Sequence, residues 1–180
     1  MAEQTLKFYG LFDAALIPKI WFNLETLGLN FASLYQGDYA PIAEAIPYVI
    51  ELDKSLNSNS VEALLEQGDY HLGLFIMSSL SLDELTKRLA FFYHVEDDRG
   101  IPYLRRFFDI RLFDHFLKTL SANEIAYLFD KETSFYHFHS TETNACRMYA
   151  ENESHLITYS DYADITEIKK LRQFLPHLKE

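Results

Sequence analysis

Four short apolar runs separated by helical patterns constrain the fold of this chain more than any other feature. Leu6 to Asp13, Phe31 to Tyr35, Tyr48 to Leu52 and Leu72 to Met77 each read as a strand. Between them, Pro18 to Leu27 reads as a helix with its proline tolerated in the first turn and Gly28 as its stop. A helical turn is expected over Pro41 to Ile46 and a helix over Asn59 to Glu66. Strands alternating with helices predict an α/β lobe over residues 1–108, built on a mixed, largely parallel sheet with helices on its faces.

The rest of the chain reads differently. Ser81 and Glu84 form a capping-box pattern, and Leu82, Leu85, Leu89 and Phe92 follow on one helical face. Asp97-Asp98-Arg99-Gly100 is a turn signal between Val95 and the run Tyr103 to Phe108, which predicts a hairpin. Asp109 to Leu120 places Ile110, Phe113, Phe116, Leu117 and Leu120 on one face of a helix, with Asp114 and Lys118 four apart on the wet side. Ser121 and Glu124 repeat the capping box and open a helix to about Phe129. From Ser134 to Tyr159 residues alternate as in an antiparallel β patch of three strands. Asp164 and Glu167 then open a last helix with Ile165, Ile168, Leu171, Leu175 and Leu178 on one stripe. Residues 109–180 are therefore expected to form a smaller carboxy-terminal lobe of helices and antiparallel β structure, making the whole α+β.

Composition excludes several functions. Twelve Tyr, fifteen Phe and one Trp in 180 residues are an apolar load that argues against disorder. A net charge of -11 repels phosphate backbones and anionic headgroups, so no nucleic-acid or membrane partner is expected, and a basic protein partner would be drawn in. Cys146 is the only cysteine, which forbids an intrachain disulfide and a thiolate metal cluster and suits a reducing compartment. Met1 to Phe12 lacks a basic start and a long apolar run, and no stretch approaches the roughly 20 residues that span a bilayer, so a cytoplasmic protein is expected.

Chemistry-bearing patterns are sparse. None of the six glycines falls in a phosphate-loop or dinucleotide pattern. His137 and His139 would share a strand face, yet two imidazoles are not a metal site, and no cofactor or metal is expected. Cys146 reads as a small buried hydrophobe rather than a nucleophile. Asp13, at the end of the first strand, is placed either for a functional role or to cap the following turn, and the second is the simpler reading. Asp109 with Arg106 or Arg111 reads as a structural ion pair where a helix begins. Aromatic clusters such as Phe91-Phe92-Tyr93, Phe107-Phe108 and Phe135-Tyr136-His137-Phe138 read mostly as core, yet small lobes cannot bury all of them, and leftover Tyr or Phe is the usual anchor of a protein interface.

Five stretches stand out when taken in order: Leu11-Phe12-Asp13-Ala14-Ala15, Ser33-Leu34-Tyr35-Gln36-Gly37, Ile46-Pro47-Tyr48-Val49-Ile50-Glu51-Leu52, Gly73 to Ser78 with Ser81-Leu82-Asp83-Glu84-Leu85, and Arg106-Phe107-Phe108-Asp109-Ile110-Arg111. Together they resemble the bacterial type VI secretion adaptor-chaperones, a family first catalogued as a domain of unknown function. The resemblance covers about residues 8 to 130, with Ile110 where the family carries proline and Arg88-Leu89-Ala90 in place of a His, Leu, Arg run. It implies a non-enzymatic adaptor that binds a cognate toxin effector in the cytoplasm, stabilises it and helps load it onto the secretion spike protein. The competing expectation is an acidic immunity protein or antitoxin; a third is a hydrolase using Asp13 or Asp109.

Two sets of residues follow from this reading. Arg106, Asp109 and Arg111 are expected to form a junction holding the lobes in register. Tyr136, Phe138, Tyr149 and Tyr159, in the stretch that matches the family least, are the candidate anchors for cargo, with completion of the core as the alternative.

Overall fold

A computed structural model describes residues 5–17, 19–52, 59–60, 63–64, 72–138, 146–154 and 156–161. Its main element is a seven-stranded sheet. In chain order the strands are β1 (Lys7–Asp13), β2 (Phe31–Ser33), β3 (Pro47–Glu51), β4 (Leu74–Ser78), β7 (Ser134–Phe138), β8 (Cys146–Glu151) and β9 (Ile157–Ser160), and they lie side by side as β2-β3-β1-β4-β7-β8-β9. A separate hairpin pairs β5 (His94–Glu96) with β6 (Pro102–Leu104). The helices are α1 (Lys19–Thr26), α2 (Leu82–Tyr93), α3 (Phe113–Lys118) and α4 (Ala122–Phe129), with a 3-10 turn over Ala40–Ala45.

Every strand pairing among the described residues is antiparallel, which overturns the largely parallel sheet that the alternation of elements predicted. The physical reason lies in burial. An antiparallel sheet with one wet face alternates apolar and polar residues, whereas β3 and β4 are buried at every position and β1 at every position after Lys7. One face sets Phe8, Phe12, Tyr48, Ile50 and Phe75 against Ile20 and Leu24 of α1. The other sets Tyr9, Leu11, Val49 and Ile76 against Leu85, Leu89 and Phe92 of α2 and against α3 and α4. Strands covered on both sides carry nearly unbroken hydrophobic runs, the same signature that parallel strands show.

The sheet also runs through the boundary expected at residue 108. β4 pairs with β7, placing Phe75 opposite Tyr136, so residues 1–108 and 109–180 contribute to one sheet rather than to two separate ones. The antiparallel patch expected after Ser134 is present as β7-β8-β9 at one end of that sheet. The helix expected over Asn59 to Glu66 has helical backbone at residues 59–60 and 63–64, and the last helix expected after Asp164 lies outside the described residues.

Local chemistry explains where elements start and turn. At both Ser81 and Ser121 the serine hydroxyl accepts the amide of the glutamate three residues on, and that glutamate accepts the serine amide, closing the two capping boxes. The hairpin turn is tied by Asp97, whose Oδ1 accepts the amides of Arg99 (2.8 Å) and Ile101 (2.9 Å), while Gly100 takes the left-handed conformation with φ 75°. The expected Asp109–Leu120 helix is shorter, Phe113–Lys118, because Asp109 spends its carboxylate and carbonyl on the turn before it. Within β1, a Cβ on Gly10 would run into the ring of Phe12, so a side chain there is incompatible with this packing.

Candidate partner-binding grooves beside the hairpin

Two grooves flank the β5–β6 hairpin and share Tyr103, Arg105 and Glu124 in their walls. The larger, about 640 Å³, opens between α2, the hairpin and the start of α4, and is lined by Tyr35, Phe91, Phe92, Val95 and Leu104 among others. The second, about 500 Å³, lies between the end of β6 and α3, where Phe107, Leu112 and Phe116 complete it.

The rims carry large apolar side chains that are exposed. Phe91 is 56% exposed, Tyr103 46% and Leu112 54%. Ile101, Leu104 and Tyr127 are exposed as well, and an apolar cluster of this kind marks a contact surface more often than a scattered residue does. Tyr127 is held upright rather than loose: its ring packs edge-on to Phe91 at 5.5 Å, and the Arg88 guanidinium lies 5.2 Å from its centre. Arg88 is itself fixed, donating Nη1–H to the carbonyl of Asp130 at 2.8 Å.

Polar groups at the grooves are oriented by the same elements. His94, at the end of α2, accepts the Gln36 amide on Nε2 at 3.0 Å, which places the proton of the neutral ring on Nδ1. The Glu124 carboxyl is held below its ordinary range by hydrogen bonds from the Ser121 amide and hydroxyl and by the more distant charge of Arg105. Arg105 presents its guanidinium over the Phe116 ring, 5.7 Å from the centroid, while its amide donates to the Tyr93 carbonyl at 2.8 Å and extends the hairpin ladder.

The residues expected to join the lobes are close together but bonded otherwise than as a triad. Asp109, buried, accepts Nε–H and Nη2–H of Arg111 at 2.9 and 2.6 Å, and this pair holds its carboxyl below the usual range. Arg106 pairs instead with Asp13 at the end of β1. Asp13 also accepts the Ala15 amide on Oδ1 at 3.0 Å, the turn-capping role. Next to it, the Tyr93 hydroxyl is pushed up to about 12, by burial first and by the Asp13 carboxylate second.

The expected cargo anchors lie elsewhere. Tyr136 and Phe138 are buried in the layer shared with α1, and Tyr149 is buried in the opposite layer, with its ring 5.1 Å from Phe113 and its hydroxyl 3.1 Å from His137 Nε2. All three side chains are almost wholly buried, and Tyr149 also lines a cavity of about 250 Å³ with Leu117, Leu120, Ile125 and Ile157. The Tyr159 side chain and His139 lie outside the described residues. Cys146 is buried beside Phe138, and burial pushes its thiol up to about 12, so it is not a thiolate at neutral pH.

Sequence reasoning passed over Phe91, Tyr103, Arg105 and Leu112 as individual residues. The signal for Phe91 was present: it stands off the Leu85, Leu89, Phe92 stripe of α2 and so must face outward. For Arg105 there was none, since its surroundings come from three separate elements.

No curated protein and no solved structure matches this chain. Among the described residues no helix is long and apolar enough to cross a membrane. A family match spans residues 8–127, two thirds of the sequence, from β1 through most of α4, and the chain therefore belongs to the family described as a domain of unknown function, DUF4123.

Proposed function

We propose that this protein is a non-enzymatic adaptor-chaperone that binds a cognate type VI secretion toxin effector in the cytoplasm and helps deliver it to the secretion spike. The observation that carries the reading is the exposed apolar rim of Phe91, Tyr103, Leu104 and Leu112 around two open grooves, with exposed Tyr127 packed against Phe91. The ordered sequence motifs that resemble the adaptor-chaperones supply the identity of the cargo class. Such a protein works by mass action: it holds an apolar segment of the cargo, lowering the population of unfolded or aggregated effector, until the spike takes over. The acidic charge of -11 favours encounter with a basic cargo.

Co-expression with a candidate toxin effector from the same genome tests this. A stable complex, loss of soluble toxin when the chain is omitted, and absence of the chain from the secreted fraction are expected. A toxin that stays soluble and is secreted equally well alone would overturn the reading. A complex in which toxin activity is abolished, and which protects recipient cells, would identify an immunity protein instead.

A further inference from the structure

Six arginines lie among the described residues, and five of them have a carboxylate partner. Arg88 faces Asp130, Arg99 faces Asp97, Arg106 faces Asp13, Arg111 faces Asp109, and Arg147 faces Asp161. Arg105 is the exception. In a chain with 27 acidic residues, no carboxylate of the described residues lies within 4.0 Å of its guanidinium. Glu124 shares both of its grooves and Glu96 the larger one; the charge of Arg105 reaches Glu124 from a distance, but the Oε2 of Glu124 is bonded to the Ser121 amide at 2.8 Å and hydroxyl at 2.7 Å.

The setting makes this more than a stray surface charge. Arg105 is partly buried, its guanidinium carbon lies over the Phe116 ring, and the exposed side chains Tyr103 and Leu112 line the same groove. Arg106 lines the same groove but is answered by Asp13, and Glu124 is turned to Ser121, so Arg105 is the cation there without a contacting acid among the described residues. A purely apolar partner seated here would strip water from the guanidinium without replacing it, and burying an unpaired cation is costly. A carboxylate would meet the guanidinium fork in two parallel hydrogen bonds.

Resting on the adaptor reading, we infer that the groove between β6 and α3 docks a segment of the cargo in which one acidic side chain, Asp or Glu, is flanked by apolar residues. The acid pairs with Arg105, and the apolar neighbours cover Tyr103 and Leu112. Charge attraction over the whole molecule brings a basic cargo near, while the one arginine without a contacting carboxylate selects the segment and its register.

The test uses this chain and the toxin effector that co-expression identifies, with affinity measured by biolayer interferometry and folding by thermal melts. Arg105→Glu is expected to weaken binding by about tenfold or more at unchanged melting temperature, since central Arg anchors dominate such contacts. Arg99→Glu, at the exposed hairpin tip, is expected to stay within about twofold because rim charges contribute little. Replacing the toxin's acids one at a time by lysine should reveal a single position that restores binding to Arg105→Glu. If Arg105→Glu does not fold, Arg105→Gln takes its place with the toxin's acids replaced by their amides, and one of those replacements should weaken binding to the wild type but cost nothing further in the Arg105→Gln background; additive losses at every acid would overturn the inference. Unchanged affinity of the Arg105 variant, or a loss that no charge exchange restores, would overturn the inference and leave the adaptor reading intact. Failure of the wild-type chain to bind the toxin would remove both.

Discussion

Arg106 is ion-paired to Asp13, a residue 93 positions earlier in the chain. The pair fastens the segment leaving the hairpin to the end of β1, and it is lopsided: the Asp13 side chain is 4% exposed and that of Arg106 47%. Removing the arginine leaves a buried carboxylate with the Ala15 amide but without its counter-charge. Water reaches the arginine side, so Arg106→Ala should cost about 1–2 kcal/mol rather than the larger figure of a fully enclosed pair. In an Asp13→Asn background the same change should cost less, with a coupling of roughly 0.5–1.5 kcal/mol in a urea-unfolding double-mutant cycle. Additive costs would show that the contact contributes nothing to stability.

Asp109 gives the protein a defined acid response. Its folded carboxyl is held below the unfolded value of about 3.9, chiefly by hydrogen bonds from Arg111. The stability this contributes is complete above the unfolded pKa and is lost as pH falls through the folded pKa. Because Arg111 is largely exposed, Asp109→Asn should cost only about 1–2 kcal/mol at pH 7, or roughly 2–8 °C in Tm. Melts taken from pH 7 downward should show the wild type and the variant converging as Asp109 protonates. A gap that persists undiminished would assign the cost to packing.

Gly10 tests how tightly the centre of the sheet is filled. An added methyl would strike the Phe12 ring, and the Leu52 side chain lies 3.1 Å from where it would sit, so Gly10→Ala should destabilise by about 1–3 kcal/mol. Phe12→Leu in the same background should recover part of that loss, a sign that overpacking, not strand propensity, is responsible. Chemical denaturation of the three variants decides it.

Cys146 offers a probe of opening. With its thiol pushed up to about 12 and its side chain enclosed, it should resist a thiol reagent at pH 8 in the native state and react promptly in denaturant. Prompt native-state labelling would mean that β7 and β8 separate readily.

These tests bear on features that were unequally visible in the sequence. The two capping boxes and the Asp97 to Gly100 turn depend on contacts within four residues, and both were legible. Strand direction was not. Which strands become neighbours is decided by pairings such as Tyr9 with Glu51 and Phe75 with Tyr136, separated by long stretches of chain, and covering both faces erased the alternation that distinguishes an antiparallel sheet. Aromatic anchors in β7 and β8 were equally ambiguous, because a tyrosine such as Tyr149 suits a core and an interface alike. The groove around Arg105 had no local signature at all, since it is defined by what the guanidinium lacks after the chain has folded.

The order of strands in the sheet also sets a timetable for synthesis. β4 emerges with β1 on one side, but its other neighbour, β7, begins only at Ser134. At roughly 5–20 residues per second, the ribosome takes several seconds to supply that neighbour. Throughout that interval the nascent chain carries an open row of backbone donors and acceptors along one of its most hydrophobic strands. A stalled or prematurely ended chain stopping near Tyr127, where the family match ends, would keep that edge bare for good and recruit neighbouring strands in place of its own.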